Sequence, residues 1–135
     1  MKKTNRRKFI ATASAVSAAT VVSAMPFHRV AKSKQLAHHV FFWLKNPDSV
    51  EDRDKLVEGV KTLSKIETIK EIHVGILAST EKRDVVDTSW QVCELMFFDD
   101  LAGQAVYQTH QVHLDFIKNY GHLWQKVVVY DAMEV

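Results

Sequence analysis

Thr88-Ser89-Trp90-Gln91-Val92-Cys93-Glu94-Leu95-Met96-Phe97-Phe98, followed by Asp99-Asp100, is the stretch on which the fold turns. A long apolar and aromatic run closed by an acidic turn predicts a strand over 88–98. Side chains alternate across a strand. Trp90, Val92, Glu94, Met96 and Phe98 therefore share one face, and Gln91, Cys93, Leu95 and Phe97 share the other. Both faces are apolar, so the strand needs cover on two sides. Glu94 interrupts its face between Val92 and Met96, where an unpaired carboxylate is costly to bury. Cys93 reads as a packed small hydrophobe.

Upstream, His38–Lys45 predicts a first strand with the same two-faced character. His38, Val40, Phe42 and Leu44 point one way, and His39, Phe41 and Trp43 the other. Asn46-Pro47-Asp48-Ser49 ends it, and Ser49 with Asp52 resembles a capping box opening a helix to about Lys65. Leu56, Val57, Val60 and Leu63 fall at helical spacing along it. Ile69–Ala78 predicts a second strand and Ser79–Asp87 a polar loop. Downstream of Asp99-Asp100 come a helix through about His110, a short helix over 112–122 and a Val-rich last strand over 126–130, expected to be buried. The order β-α-β-β-α-β is the ferredoxin-like arrangement of the α+β class. Its helices cover one face of a four-stranded antiparallel sheet. The natural cover for the other face is a second subunit's sheet, which gives a homodimeric α/β barrel.

The first two dozen residues are different material. Five of the 18 basic residues precede Ala24 and all 16 acidic residues follow it. A basic start, a weakly apolar Ala/Ser/Thr/Val core over 11–24 and the small exit Val22-Ser23-Ala24 form an export signal over 1–24. Asn5-Arg6-Arg7-Lys8-Phe9-Ile10 resembles a twin-arginine motif, which implies the twin-arginine export machinery as a partner and the periplasm or cell envelope as the destination. Residues 25–36 read as a linker and 37–135 as one domain. Without 1–24 the formal charge changes from +2 to −3. No dense Lys/Arg run remains, so nucleic acid is not an expected partner. The chain has no zinc-type Cys/His spacing and no Gly-rich phosphate loop, so neither a metal nor a cofactor is expected.

Tyr107-Gln108-Thr109-His110-Gln111-Val112-His113 is the densest cluster of proton-handling side chains. It has three readings: proton transfer, ligand contact or packing. On one unbroken helix Tyr107 and His113 lie ~120° apart and diverge. They converge only if the chain breaks between them.

The chain from His38 to Glu134 resembles the stress-responsive A/B barrel (Dabb) family of dimeric α/β barrel proteins. The resemblance is carried by the His-led strand His38–Lys45, by Phe98-Asp99-Asp100, by His110-Gln111-Val112-His113 and by Trp124–Asp131. The family usually has a Pro at the position of Gln111, which supplies the break. One member, a plant polyketide cyclase (olivetolic acid cyclase), closes its substrate by aldol condensation with a Tyr and a His. The resemblance implies Tyr107 and His113 as the matching catalytic pair, with His38, Phe116 and Trp124 at pocket positions. His113 would be the general base and Tyr107 the donor to the developing oxyanion. Phe42, Glu94 and His110 complete the expected ligand site, with Glu94 paired to His113 or His38.

Each of these residues also has a structural reading. His113 can cap a helix, His38 and His110 can satisfy backbone groups, and Glu94 can form a marginal salt bridge. Phe42, Phe116 and Trp124 can be core. Two functions follow: a dimer that binds a small apolar or aromatic molecule without an established reaction, or a cofactor-independent carbon-acid enzyme.

Overall fold

A computed structural model describes residues 33–135. The export signal and most of the expected linker lie outside the described residues. The elements are β1 (Leu36–Leu44), α1 (Val50–Thr62), β2 (Ile69–Ile76), β3 (Val92–Phe98), α2 (Leu101–Thr109), α3 (Gln111–Tyr120) and β4 (Trp124–Met133). Short 3₁₀ turns follow α1 and α3. The sheet order is β2-β3-β1-β4, with every neighbouring pair antiparallel. This is the ferredoxin-like α+β fold.

β1 starts at Leu36, which was expected to end the linker. Leu36 alternates in register with His38 and is buried, so it belongs to the core. β3 is shorter than expected because its ladder stops at Val92. Beyond that point one backbone bond remains, from Gln91 N–H to the Phe42 carbonyl at 3.0 Å, and side chains add to it. Leu44 N–H donates to Gln91 Oε1 at 2.9 Å, and Trp43 Nε1 donates to Ser89 Oγ at 2.9 Å.

Ser49 caps α1 by accepting the Asp52 amide at 3.1 Å. The reciprocal half of the box is not made, because the Asp52 carboxylate accepts from Asn46 Nδ2 at 2.9 Å. α1 and α3 approach closely at Gly59, where an added Cβ would lie 2.5 Å from the Tyr120 ring.

The core lies between the sheet and the helices. Val40, Phe42, Leu44, Val92, Met96 and Phe98 meet Leu56, Val60, Leu63, Tyr107 and Phe116 there. The alternation read from the sequence therefore places the even-numbered side chains of β1 and β3 under the helices. β4 departs from expectation. Among the described residues it is an edge strand paired with β1 alone, and its Val127 and Val129 are 38% and 44% exposed on the helix-side face.

On the opposite face Phe41 packs edge-on against Tyr130 and against Trp90, which was expected on the Val92–Glu94 face but lies before the start of β3 and escapes its alternation; Lys126 Nζ sits 4.4 Å from the Trp43 ring centroid. Cys93 is buried on that face, and burial pushes its thiol up, which disfavours the reactive thiolate.

Candidate functional site

The helical run through Tyr107 is broken at His110, one residue before the position that the family resemblance suggested. His110 has φ −65° and ψ 139°, and it both ends α2 and caps α3. Its ring does the work that a Pro would otherwise do. Nδ1 accepts the Val112 amide at 3.1 Å, and Nε2 faces the Glu67 carboxylate at 3.2 Å. With Nδ1 accepting, the neutral ring carries its proton on Nε2, beside that carboxylate. Gln111 occupies the first helical position and reaches Asp115 at 2.8 Å. That position is where Pro is best tolerated in a helix.

The break brings Tyr107 and His113 together, with ring centroids 4.3 Å apart. His113 Nδ1 lies 3.1 Å from the Gln108 carbonyl. A carbonyl only accepts, so Nδ1 carries the proton and Nε2 of the neutral ring keeps its lone pair. Burial holds His113 below the ordinary imidazole range. The Gln108 bond opposes that shift and nearby His38 adds to it. His113 is therefore a neutral base at pH 7.

His38 comes up from β1 beneath the same pair. It is 3% exposed, and its ring stands edge-on to Tyr107 at 5.5 Å. Its partner is Asp131 on β4, with Nδ1 and Oδ1 2.6 Å apart. The β1–β4 register sets His38 directly opposite Asp131. This is the partner that sequence reasoning missed. Asp131 continues the period-two series of Val127 and Val129, but a strand ended at Tyr130 left it out.

Glu94 sits on β3 between Val40 of β1 and Val74 of β2. It is 1% exposed. The Tyr107 phenol is the hydrogen-bonding group that acts on it, while His38 pairs with Asp131 and His113 with the Gln108 carbonyl. Among the described residues Oε2 has no hydrogen-bond partner. Burial pushes the carboxyl up to about 8, against the pull of the Tyr107 hydrogen bond. Burial also raises the Tyr107 phenol above its ordinary value, and the charges of Glu94 and Asp131 add to that. At neutral pH the pair is a carboxylic acid beside a neutral phenol.

These four groups line one cavity of about 210 Å³. Phe42, Phe116, Trp124, Val127 and Val129 form most of the apolar wall, with Gln108 at the side. Phe116 and Trp124 stack at 5.5 Å, and Phe42 tilts against Trp124 at 5.2 Å. The exposure of Val127 and Val129 puts the mouth at the free edge of β4.

Of the expected site residues, His38, Phe42, Glu94, Tyr107, His113, Phe116 and Trp124 surround this cavity. His110 does not, because its ring is committed to the helix cap. Gln108, Val127 and Val129 also line the cavity and were not anticipated. Among the described residues, no group of three or more His, Cys, Asp or Glu is arranged to hold a metal ion.

Comparison with known proteins agrees with the fold. The sequence pattern of the family described as Stress responsive A/B Barrel Domain (Dabb) matches residues 36–134. A Dabb family protein with a ferredoxin-like fold from Mesorhizobium loti is 21% identical, with a TM-score of 0.61, over 76% of this chain and 98% of that one. A hydroxynitrile lyase from Passiflora edulis is 19% identical, with a TM-score of 0.63, over 76% and 95%. A dimeric protein of unknown function with a ferredoxin-like fold from Bacteroides fragilis is 22% identical, with a TM-score of 0.58, over 73% and 95%. No curated protein matches the sequence.

Proposed function

Because this chain belongs to the stress-responsive A/B barrel (Dabb) family, we propose that it binds a small, largely apolar or aromatic molecule in the cavity between sheet and helices. The observation that carries this reading is convergence. Five polar side chains from β1, β3, α2 and α3, namely His38, Glu94, Tyr107, Gln108 and His113, line a cavity whose remaining wall is apolar. Apolar walls with a few placed polar groups are the usual make-up of a small-molecule site. The volume limits the ligand. About 210 Å³ is below the ~300–1,000 Å³ of drug-sized sites, yet a dry apolar cavity of ~150 Å³ admits benzene. A single substituted ring fits these bounds.

NMR titration with single-ring aromatic compounds tests the reading. Shifts are expected at His38, Gln108, His113, Ile117 and Val129. Shifts confined to the opposite sheet face, or none at millimolar concentration, would remove the pocket from consideration.

A second reading, a cofactor-independent carbon-acid enzyme, is favoured by the free Nε2 of His113 beside Tyr107. The resemblance to olivetolic acid cyclase points the same way. The hydroxynitrile lyase from Passiflora edulis shows that an enzyme can occupy this fold. On this reading Tyr107→Phe and His113→Ala lower turnover by ~10²–10⁴-fold while binding survives. If the substitutions change affinity alone, the protein is a binding module.

The site would belong to a homodimer exported by the twin-arginine route. The aromatic outer face and the dimeric relatives support the dimer. A monomeric mass at micromolar concentration contradicts it. Arg6, Arg7 and the weakly apolar core that follows support export. Replacing both arginines with lysine should retain the protein in the cytoplasm.

A further inference from the structure

We propose that Glu94 is the specificity determinant of the cavity and selects neutral aromatic ligands that carry a hydrogen-bond acceptor, such as an aryl ketone or aldehyde. This rests on the cavity being the ligand site. Glu94 contributes to the cavity wall and is flanked in the sheet by Val40 and Val74. The Tyr107 phenol acts on it as a hydrogen-bonding neighbour, and among the described residues Oε2 has no partner.

A buried carboxylate would need a cation or several donors to offset its lost hydration. The described residues supply neither. The group is therefore held as the neutral acid, in line with a carboxyl pushed up to about 8. A carboxylic acid has one acceptor side and one donor side. Tyr107 uses the first. The acid O–H then seeks an acceptor; the apolar wall of Phe42, Phe116, Trp124, Val127 and Val129 offers none, and neither His113 nor Gln108, which also line the cavity, bonds Oε2. Oε2 itself is sealed from water. The terminal torsion of Glu is soft and roughly two-fold, so a turn of the carboxyl plane presents the O–H to the cavity. A ligand carbonyl meets that donor. A ligand carboxylate or ammonium would bring a charge into the same poorly hydrated space.

The test compares four ring compounds of similar size: acetophenone, ethylbenzene, benzoate and benzylamine. Their dissociation constants are measured by NMR titration at pH 7 on the wild-type protein, Glu94→Gln and Glu94→Leu. One neutral hydrogen bond corresponds to roughly a 3–10-fold affinity difference. Acetophenone should therefore exceed ethylbenzene by about that factor in the wild type, with benzoate and benzylamine weakest. Glu94→Gln keeps a neutral donor and acceptor and should keep the preference. Glu94→Leu should abolish it while still binding ethylbenzene. The proposal fails if Glu94→Leu retains the preference, or if benzylamine or benzoate binds tightest. Equal binding of acetophenone and ethylbenzene to the wild type also overturns it, with the cavity still standing as a binding site. If no compound binds the wild type, the cavity reading fails first and this proposal falls with it.

Discussion

Replacing Glu94 by Gln should make the protein more stable, by an amount that grows with pH. The folded state holds the Glu94 proton up to about pH 8, whereas an ordinary glutamate releases it near 4.5. Between those values the folded state binds a proton that the unfolded state has lost. Stability therefore falls as pH rises through the window and levels off above it. Each unit of displacement is worth about 1.4 kcal/mol, so the penalty approaches roughly 3 kcal/mol at pH 7 and 5 kcal/mol above pH 8. Near-complete burial, at 1% exposure, means that solvent screening does little to reduce these figures. Gln retains an acceptor for Tyr107 and has no proton to lose.

The assay is urea unfolding of both proteins from pH 5 to pH 8 at one fixed protein concentration, because an associating protein gains stability with concentration. His113 and His39, both held low by burial, change stability with the opposite sign as pH falls below the ordinary imidazole value of 6.5. They are common to both proteins and cancel in the difference. That difference should widen by several kcal/mol across the range. Parallel curves, offset by a constant, would refute the claim that Glu94 is buried as the acid.

Two further substitutions probe the helices. Gln111→Pro restores the residue that the family resemblance suggested; it should range from neutral to ~1 kcal/mol more stable in urea, because the first helical position has no amide bond to lose. A loss of stability instead would mean that the Gln111–Asp115 pair holds α3. Gly59→Ala ordinarily strengthens a helix by ~1 kcal/mol, yet here the new Cβ meets the Tyr120 ring at 2.5 Å. Overpacking of this kind costs ~1–3 kcal/mol, so thermal unfolding should occur earlier. Tyr120→Ala in the same chain should relieve the clash, and a Gly59→Ala protein as stable as wild type would show that the ring moves freely.

Much of this architecture was written in side-chain alternation. The parity of β1 and β3 is locally determined, because residues two apart must share a face once the strand forms. It assigned His38, Phe42 and Glu94 to the helix layer correctly. The environment of β4 was not local. A Val-rich strand reads as buried, but β4 lies at an edge where α2 and α3 leave Val127 and Val129 uncovered. The same error of extent hid Asp131.

Pairings across the fold were hidden for a different reason. Glu94 was a recognisable anomaly, yet only tertiary geometry shows that Tyr107 meets it and that His38 turns to Asp131. The helix break shows how two chemistries reach one conformation. Pro enforces a break covalently, whereas His110 enforces it with a ring nitrogen, and only the first is visible as a breaker in sequence.

The two-sidedness of β1 and β3 also has a meaning for how such a protein changes over time. Position 38, 40, 42 or 94 alters what enters the cavity; position 39, 41, 43 or 95 alters the outer aromatic surface. Substitutions can therefore retune one property while leaving the other intact, as two independent registers on the same strands. A single-residue insertion or deletion within β1 has no such freedom. It would exchange His38, Val40 and Phe42 for His39, Phe41 and Trp43 beneath the helices, and would erase both surfaces in one event.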